Sequence, residues 1–424
     1  MFKKTIALVL SAILLCACFA SCSGGTTRKG EGESLLPAPT LTKDFEIPAE
    51  FKIGVICLHD ENSTYDYNFL KAIREVKKIL GLSDSQVLEK TNVPEGNECY
   101  ETAKELVSNG CKIVFADSFG HESYMAQAAA EYPDVQFCHA TGTSASYKNK
   151  DLANFHNAFA AIYEGRYLAG IVAGLKLNEM IANGKITADQ AIIGYVGAFT
   201  YAEVISGMTS FYLGARSVCP SATMKVRYTG SWYDQAKEQE AAETLMNQDG
   251  CVLISQHADS LGAPSACQNK GVPNVSYNGS TYSAGKDTFL ISSAINWQPY
   301  FLYIIKAVCQ GTAIADDWTG TIATGSVILS GMNLDVVAEG TETAVKNAIA
   351  GFKNGTLHVF DTSKFTVKGA NLTEYLADVD GDFAPDTNVI HDGYFDESGE
   401  GFRSAPYFDI IIDGVTNLNE NFGD

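Results

Sequence analysis

The chain has 424 residues, of which 46% are hydrophobic and 19% charged, enough material for two globular domains of ordinary size. Its formal net charge of -20 repels the phosphate backbone of nucleic acids, and no basic stretch with interleaved aromatic residues offsets that charge. Nucleic acid is therefore a poor candidate partner, and strongly anionic ligands are disfavoured.

The first 22 residues have the order of a bacterial signal peptide. Lys3 and Lys4 precede an apolar run over residues 6–15, which is about half the length that a membrane-spanning helix needs. The segment Phe19 to Cys22 then resembles a lipobox, in which the Cys22 thiol receives diacylglycerol and becomes the first residue of the mature chain. This predicts a lipid-anchored protein on the extracytoplasmic face of the cell membrane. Two alternatives stay open: the competing segment at residues 15–18, and an ordinary cleaved signal without lipid.

Residues 23–50 are rich in glycine, threonine, proline and charge and contain little apolar material to bury. Such a composition is typical of a flexible tether. No later apolar run is long enough to cross a membrane.

From residue 51 onward, short apolar runs alternate with segments of helical periodicity. The first predicted strand covers residues 52–58, and a helix follows over residues 68–80 with Phe69, Ile73 and Val76 on one face. Further strands are predicted near residues 113–115, 135–138, 192–196, 224–228, 252–255 and 288–291. The alternation predicts an α/β protein with parallel, doubly wound sheets, and the number of βα units predicts two Rossmann-like lobes joined by a hinge.

Two segments, 109–118 and 249–260, repeat one order of features. In each, a glycine (Gly110 or Gly250) ends a helix, an apolar strand follows, and Asp and Ser then begin the next helix. The repetition favours two lobes built on the same plan, although convergent turn chemistry produces the same pattern.

Eleven cysteines are present, three of them within the first 22 residues. Cys57, Cys111, Cys138 and Cys251 lie inside predicted strands, which is typical of buried thiols rather than disulfide partners. No Cys-x-x-Cys pair provides the spacing of a zinc or redox site. We expect neither a metal nor a cofactor.

Ligands of doubly wound sheets bind beyond the carboxyl ends of the strands, so the residues directly after each strand are the candidates for a site. They are rich in aromatic and polar side chains, which suit a flat, neutral ligand with hydrogen-bonding edges. The candidates are His59, Asp60, Tyr65, Asp66, Tyr67, Asn68, Asp117, Ser118, Phe119, Phe199, Tyr201, Glu203, Trp232, Tyr233, Asp234, His257, Asp259, Tyr277, Asn278, Asn296 and Trp297. For Asp234, and for Ser260 nearby, helix capping is the simpler interpretation.

Several segments carry a resemblance to one family of proteins. They are Tyr132 to Phe137, Glu164 to Gly170, Ile193 to Phe199, Glu203-Val204, Leu213 to Val218, Trp232 to Asp234 with Lys237-Glu238, Gln256 to Ser260, and Asn296-Trp297 with Pro299-Tyr300. These segments resemble the basic membrane protein family of substrate-binding lipoproteins. They are similar in particular to the branch that binds purines or purine nucleosides for ATP-driven import. The resemblance covers about residues 52–318.

The resemblance implies a periplasmic-binding-protein-like fold of type I, with a ligand clamped between two lobes. Carried over position by position, it implies ligand contacts from Tyr67, Asn68, Phe199, Glu203, His257, Asp259 and Trp297. Phe119 and Trp232 join this set because they follow predicted strands. We expect closure about the hinge to bring Tyr67 and Phe119 of one lobe against Phe199 and His257 of the other, before an ABC transporter permease receives the ligand.

Two positions depart from the family pattern. Asn278 and Asn296 stand where the nucleoside-binding members carry an Asp and a Lys associated with ribose. An Asp–Lys pair holds sugar hydroxyls by charge-assisted hydrogen bonds, and two Asn side chains do not. A free purine base is therefore as plausible a ligand as a nucleoside.

Other classes of function find less support. His121-Glu122 begins like a zinc-protease motif, but Met125 occupies the place of the second histidine, and no Gly-x-Ser-x-Gly elbow occurs. The acidic run from Asp378 to Asp382 resembles a calcium loop, yet Phe383 takes the position of the required glycine. We therefore expect no enzyme. An extracytoplasmic nucleoside hydrolase and a sensor of ligand occupancy remain the alternatives.

The expected boundaries follow from this plan. The first lobe covers residues 51–158 and is completed by about 286–328, and the second covers 159–285 and is completed by about 329–424. Residues 354–424 lie outside the resemblance and receive no predicted function; we expect them to finish the second lobe or pack on the hinge.

Overall fold

The computed structural model describes residues 29–419, so the predicted signal and the lipidation site Cys22 lie outside the described residues. The longer strands are β1 (Glu31–Ser34), β2 (Ile53–Ile56), β3 (Val87–Lys90), β4 (Ile113–Ala116), β5 (Gln136–Ala140), β6 (Phe155–Ala160), β7 (Ile192–Gly197), β8 (Thr223–Tyr228), β9 (Leu253–His257), β10 (Asn274–Tyr277), β11 (Phe289–Ile295), β12 (Asp317–Gly320), β13 (Val327–Leu329) and β14 (Gly331–Asn333). Short strands follow: β15 (Leu376–Ala377), β16 (Thr387–Asn388), β17 (Ile390–His391), β18 (Tyr394–Phe395) and β19 (Val415–Asn417). The α-helices are α1 (Thr64–Leu80), α2 (Asn97–Ser108), α3 (Glu122–Glu131), α4 (Ile162–Ala182), α5 (Ala202–Val218), α6 (Gln235–Asn247), α7 (Gly262–Lys270), α8 (Gln298–Gln310) and α9 (Thr341–Lys353).

The first lobe is built on a six-stranded parallel sheet in the order β12-β6-β5-β4-β2-β3. Helix α1 illustrates why its sequence folds this way. The hydroxyl of Ser63 accepts a hydrogen bond from the backbone N–H of Asp66 at the first turn, and Gly81 ends the helix in the left-handed conformation at φ 72°. Between these caps the apolar residues Phe69, Ile73, Val76 and Leu80 are buried.

The second lobe repeats this arrangement in a seven-stranded sheet with the order β13-β11-β10-β9-β7-β8-β19. Strands β7 to β11 stand in the same relative order as β2 to β6, which confirms the predicted doubly wound fold with two lobes. The repeated segments at 109–118 and 249–260 contain the equivalent strands β4 and β9, and Gly110 and Gly250 both have positive φ, 88° and 74°. Only β13 is antiparallel to its neighbour.

Three crossings of the chain form the hinge: β6 to α4, β11 to α8, and β12 to β13. Hydrogen bonds connect them, since the N–H of Ala161 donates to the carbonyl of Gly320 at 2.7 Å and the N–H of Asn296 donates to the carbonyl of Ser326 at 2.7 Å. Because β11 pairs with β10 in the second sheet, the expectation that residues from 286 onward complete the first lobe is wrong for residues 289–295. The return to the first lobe begins only at α8.

The N-terminal segment differs from the predicted tether. Strand β1 pairs antiparallel with β14, and the carbonyl of Leu36 accepts from the N–H of Leu329 at 3.0 Å. Leu36 and Phe45 are buried in the core, and Lys306 on α8 pairs with Asp44 at 2.6 Å. Residues 31–45 are therefore an ordered strap that runs from the second lobe to the first, because their few apolar residues find partners that composition does not reveal.

The C-terminal segment contacts both lobes and the hinge. Strand β19 extends the second sheet beside β8, the hydroxyl of Tyr163 at the start of α4 donates to Ser398 at 3.1 Å, and the N–H of Ser404 donates to Asp317 of β12 at 3.0 Å. The acidic turn at residues 378–382 is braced by Arg403, whose guanidinium donates to Asp378 at 2.9 Å.

A buried carboxyl lies in this C-terminal segment. Glu397 is 2% exposed, and one of its oxygens accepts from the N–H of Tyr407 at 3.1 Å, while the other has no hydrogen-bond partner among the described residues. Burial raises the pKa of Glu397 to about 8. Since an unfolded glutamate titrates near pH 4.3, the unfolded chain releases this proton at a pH where the folded protein keeps it. Glu397 therefore lowers stability progressively as the pH rises from about 4 to about 8.

Replacing Glu397 by glutamine should remove this dependence. Relative to the wild type, the free energy of unfolding of Glu397→Gln is expected to increase by about 1.4 kcal/mol per pH unit between about pH 5 and pH 8. Urea unfolding at several pH values in this range measures the difference, with the exposed Glu342→Gln as control. Parallel pH profiles for Glu397→Gln and wild type would contradict the prediction.

The eight cysteines within the described residues are free thiols, seven of them buried. Across residues 29–419, no helix combines the length and the apolar character that spanning a membrane requires.

Candidate ligand-binding site

A cavity lies between the two lobes at the carboxyl ends of both sheets. The space between its lining residues is about 370 Å³, a volume that includes space open to solvent. Its wall consists of Leu58, His59, Tyr65, Asp66, Ser118, Phe119, Thr141, Glu203, Trp232, His257, Asp259, Tyr277 and Asn278. Both lobes contribute, as expected for a ligand site of doubly wound sheets.

The first-lobe wall is held by the loop between β2 and α1. One carboxylate oxygen of Asp66 accepts from the N–H of His59 at 2.7 Å, and the other accepts from the hydroxyl of Ser63 at 2.6 Å. The hydroxyl of Tyr65 donates to the carbonyl of Asp117 at 2.7 Å, which ties α1 to the end of β4. This network fixes the loop before any ligand arrives.

Two buried carboxyls behind this wall have opposite protonation tendencies. Burial raises the pKa of Asp117 well above its usual range, and the charge of Asp66 adds to the effect. Burial also acts to raise the pKa of Asp66, but hydrogen bonds from His59 and Ser63 outweigh it and lower that pKa overall. Asp66 is therefore the more acidic member of the pair, and Asp117 is the member whose protonated form is favoured.

The second-lobe wall comes from three strand ends and a helix. Glu203 lies in the first turn of α5, Trp232 follows β8, His257 ends β9, and Tyr277 ends β10. Asn278 adopts a positive φ of 63°, which turns the chain after β10 into the cavity wall.

Asp259 and Asn278 form a buried pair on this wall. The amide of Asn278 donates to Asp259 at 3.2 Å. Burial, reinforced by the charges of Glu238 and Asp66, raises the pKa of Asp259 well above its usual range. The setting therefore favours the uncharged form of Asp259.

The lobes touch across the cavity. The N–H of Thr64 at the start of α1 donates to the carbonyl of Asp259 at 2.9 Å, and the side-chain amide of Asn68 donates to Asn278 at 3.4 Å. The rings of His59 and Tyr233 lie 5.3 Å apart. These contacts define a closed arrangement of the two lobes.

Aromatic rings from both lobes gather at one side of the cavity. The ring of Phe119 lies 5.4 Å from that of Tyr201, Tyr201 stacks on Phe199 at 5.1 Å, and Phe199 meets Trp232 edge-on at 5.0 Å. We call Phe119, Phe199, Tyr201 and Trp232 the aromatic cluster. Phe119 and Trp232 face the cavity, while Phe199 and Tyr201 support them from behind.

Eleven site residues are predicted from the sequence, namely the nine expected ligand contacts together with Asn278 and Asn296, and they divide into three groups. Six line the cavity: Phe119, Glu203, Trp232, His257, Asp259 and Asn278. Two contact lining residues from outside the wall, since Asn68 bonds to Asn278 and Phe199 packs against Trp232. The remaining three, Tyr67, Asn296 and Trp297, lie elsewhere.

Trp297 is a core residue rather than a cavity residue. Its side chain is 1% exposed and stacks on Phe69 at 4.5 Å, with Phe115 at 5.9 Å. It immediately precedes α8, after the second crossing has returned to the first lobe, so its ring enters the core between α8 and α1. In the closed protein Trp297 therefore does not line the cavity, and its predicted stacking on a ligand stays a prediction.

Asn296 and Tyr67 also lie outside the cavity wall. The amide of Asn296 donates to the carbonyl of Gly325 at 3.0 Å and its oxygen accepts from the N–H of Gln298 at 3.2 Å, so it fixes the hinge crossing and begins α8. Tyr67 is 44% exposed on α1 and does not line the cavity. Successive side chains on a helix point about 100° apart, and in this turn Tyr65 and Asp66 lie on the wall while Tyr67 does not.

Seven lining residues were not among the eleven. His59, Tyr65, Asp66, Ser118 and Tyr277 are among the wider set of candidates from the sequence, and all except Tyr277 follow a predicted strand. Leu58 and Thr141 line the cavity but are not among the candidates predicted from the sequence. Thr141 directly follows β5, whose predicted end at residue 138 was two residues short.

Comparison with known proteins identifies a family of substrate-binding proteins. A family model described as ABC transporter substrate-binding protein PnrA-like matches residues 58–349. A purine-binding protein of Brucella abortus is 32% identical over 349 residues, which cover 78% of this chain and 93% of that protein. A protein of Haloferax volcanii, predicted to be an ABC transporter glucose-binding protein, is 34% identical over 217 residues, 51% of each chain.

Solved structures agree in fold. An ABC transporter solute-binding protein from Conexibacter woesei matches with a TM-score of 0.57 at 19% identity, over 73% of this chain and 98% of that one. Another from Aeropyrum pernix matches with a TM-score of 0.54 at 15% identity, over 73% of this chain and 87% of that one.

Proposed function

Because the chain belongs to the PnrA-like, or Bmp, family of ABC transporter substrate-binding proteins, we propose that it captures a purine base or nucleoside outside the cytoplasm and delivers it to an ABC permease. The observation that carries the proposal is the closed interlobe cavity, which has an aromatic side and a polar side. The purine-binding protein of Brucella abortus, similar over 93% of its length, supports the same class of ligand.

The aromatic cluster supplies the main attraction in this proposal. A purine lying against Phe119 or Trp232 gains about 1–3 kcal/mol for each stacked ring. Micromolar affinity requires about -8 kcal/mol, so stacking alone is insufficient and hydrogen bonds to the polar side must contribute.

The polar wall favours a base over a nucleoside and disfavours a nucleotide. The Asn278 amide already donates one N–H to Asp259 and accepts from Asn68 at its oxygen, which leaves it one N–H and one lone pair for ribose hydroxyls, without the charge that an Asp–Lys pair would offer. The lining contributed by the described residues contains no lysine or arginine that would pair with a phosphate.

Capture and release follow from the hinge. A ligand that bridges Phe119 on the first lobe and Glu203 or His257 on the second stabilises the closed form relative to an open one. The contacts from Thr64 to Asp259 and from Asn68 to Asn278 close the cavity over it. We further propose that Cys22 carries the lipid that retains the protein at the membrane.

Mass spectrometry of ligand released from the purified, denatured protein tests the proposal, followed by calorimetry with adenine, hypoxanthine, guanine, xanthine and their nucleosides. We expect at least one purine base to bind with micromolar or better affinity and to be recovered intact. Glucose is the comparison ligand, because the Haloferax volcanii relative is predicted to bind it. Binding of glucose without any purine would overturn the proposed cargo, and conversion of a nucleoside would overturn the role of simple capture.

A further inference from the structure

Three polar groups meet at one end of the cavity: the Glu203 carboxylate, the His257 imidazole and the Tyr277 hydroxyl. Within the described part of the chain, His257 Nε2 and the Tyr277 hydroxyl are buried without a hydrogen-bond partner. His257 Nε2 lies 3.7 Å from a Glu203 oxygen, too far for a hydrogen bond. Buried polar atoms normally have partners, so these atoms indicate where a ligand supplies them.

A chain of hydrogen bonds behind the cavity determines which His257 nitrogen carries the proton. Nη2 of Arg166 donates to the hydroxyl of Tyr195 at 3.2 Å, because a guanidinium has donors only. The same hydroxyl lies 3.4 Å from Nδ1 of His257. Tyr195 is fully buried, and its own proton is satisfied only if it is donated to Nδ1. Nδ1 is then the acceptor, and the imidazole proton resides on Nε2, the nitrogen that lies 3.7 Å from the Glu203 carboxylate.

Arg166 is held firmly enough to impose this arrangement. Its guanidinium also donates to the carbonyl of Ser276 at 3.1 Å and to the hydroxyl of Ser255 at 2.8 Å. The rings of Phe211, Tyr277 and Tyr195 surround it at 4.9, 5.2 and 5.6 Å.

His257 is neutral in this setting. Burial lowers its pKa, the neighbouring Glu203 acts to raise it, and the Arg166 cation opposes that rise. A neutral imidazole has one donor and one acceptor nitrogen, so fixing Nδ1 as the acceptor makes Nε2 a donor.

We propose that Arg166 and Tyr195 hold His257 as the Nε2–H tautomer, so that His257 as donor and Glu203 as acceptor together recognise a ligand edge carrying one acceptor beside one donor. The inference rests on the proposed function and refines its ligand class. In hypoxanthine or guanine the edge is O6 with N1–H, and in adenine it is N1 with the exocyclic N–H. Glu203 and His257 contact the ligand, whereas Tyr195 and Arg166 act as positioning residues.

Methylated purines test the recognised edge on the unmodified protein. By calorimetry, hypoxanthine is expected to bind about 10- to 100-fold more tightly than 1-methylhypoxanthine, which has lost the N1–H donor. 9-Methylhypoxanthine carries the same methyl group away from this edge and is expected to retain most of the affinity. Equal affinity for hypoxanthine and its 1-methyl derivative would overturn the inference while leaving purine capture standing. Failure of every purine to bind would overturn the proposed function itself.

The variant Tyr195→Phe tests the positioning step. Nitrogen-15 NMR of the wild type is expected to show His257 protonated at Nε2, and Tyr195→Phe to shift population toward the Nδ1–H tautomer and weaken hypoxanthine binding about 10-fold. Tyr300→Phe, which removes the hydroxyl of another fully buried tyrosine in the first-lobe core, is the matched control and should change neither readout. A wild-type imidazole protonated at Nδ1, or a folded Tyr195→Phe with an unchanged tautomer, would refute the role assigned to Tyr195.

Discussion

Trp297→Ala is expected to lower the free energy of unfolding by about 3–5 kcal/mol, the usual cost of removing a fully buried tryptophan. The ring is 1% exposed and has Phe69 and Phe115 as neighbours, so its loss leaves a cavity in the first-lobe core that the surrounding helices cannot fill. Urea unfolding monitored by circular dichroism measures the change.

The same variant should bind ligand almost normally once folded. Trp297 contributes no atom to the cavity wall, so calorimetry below the unfolding transition is expected to give a dissociation constant within about threefold of the wild type. A loss of affinity of tenfold or more with unchanged stability would return Trp297 to the ligand site.

Trp232→Ala should weaken ligand binding and have less effect on stability, the reverse of what is expected for Trp297→Ala. Trp232 lines the cavity and packs edge-on against Phe199, so its removal eliminates one face of the aromatic cluster. We expect affinity for a purine to fall by about 1–3 kcal/mol, or roughly 5- to 150-fold. Because the side chain is only partly buried, stability should change much less than in Trp297→Ala.

Tyr67→Ala provides the matched control for Trp232→Ala. Tyr67 is an aromatic residue that the sequence placed in the site, yet it is 44% exposed on α1 and does not line the cavity. Its replacement is expected to leave purine affinity unchanged. If Tyr67→Ala weakens binding as much as Trp232→Ala does, the wall of the ligand-bound form differs from the closed form described here.

The fold, and the position of six predicted residues on the wall of the candidate cavity, follow from local rules that a single sequence contains. Alternating strands and helices specify doubly wound sheets, and such sheets place ligands at strand ends. Glu203, His257 and Asp259 could be selected this way since each follows or ends a strand of strong apolar character.

Other features depend on contacts between distant segments, which a single sequence does not reveal. Trp297 also follows a strand, but the crossing at Asn296 carries it into the opposite lobe, where Phe69 and Phe115 receive it. Likewise, residues 31–45 have the composition of a tether, and only pairing with β14 and burial of Phe45 make them ordered. The tautomer of His257 depends on Arg166, 91 positions earlier in the chain.

If Cys22 carries the proposed lipid, the ordered N-terminal strap limits the distance between the protein and the bilayer. With the proposed lipid on Cys22, only seven residue steps separate the anchor from Lys29, where the N–H already donates to Asp335 at 2.9 Å. Even fully extended, these seven residue steps span about 25 Å, which is close to the radius of gyration of about 21 Å expected for a chain of this size. The protein would thus stay close to the lipid surface, and its diffusion toward a permease would be confined to two dimensions instead of three.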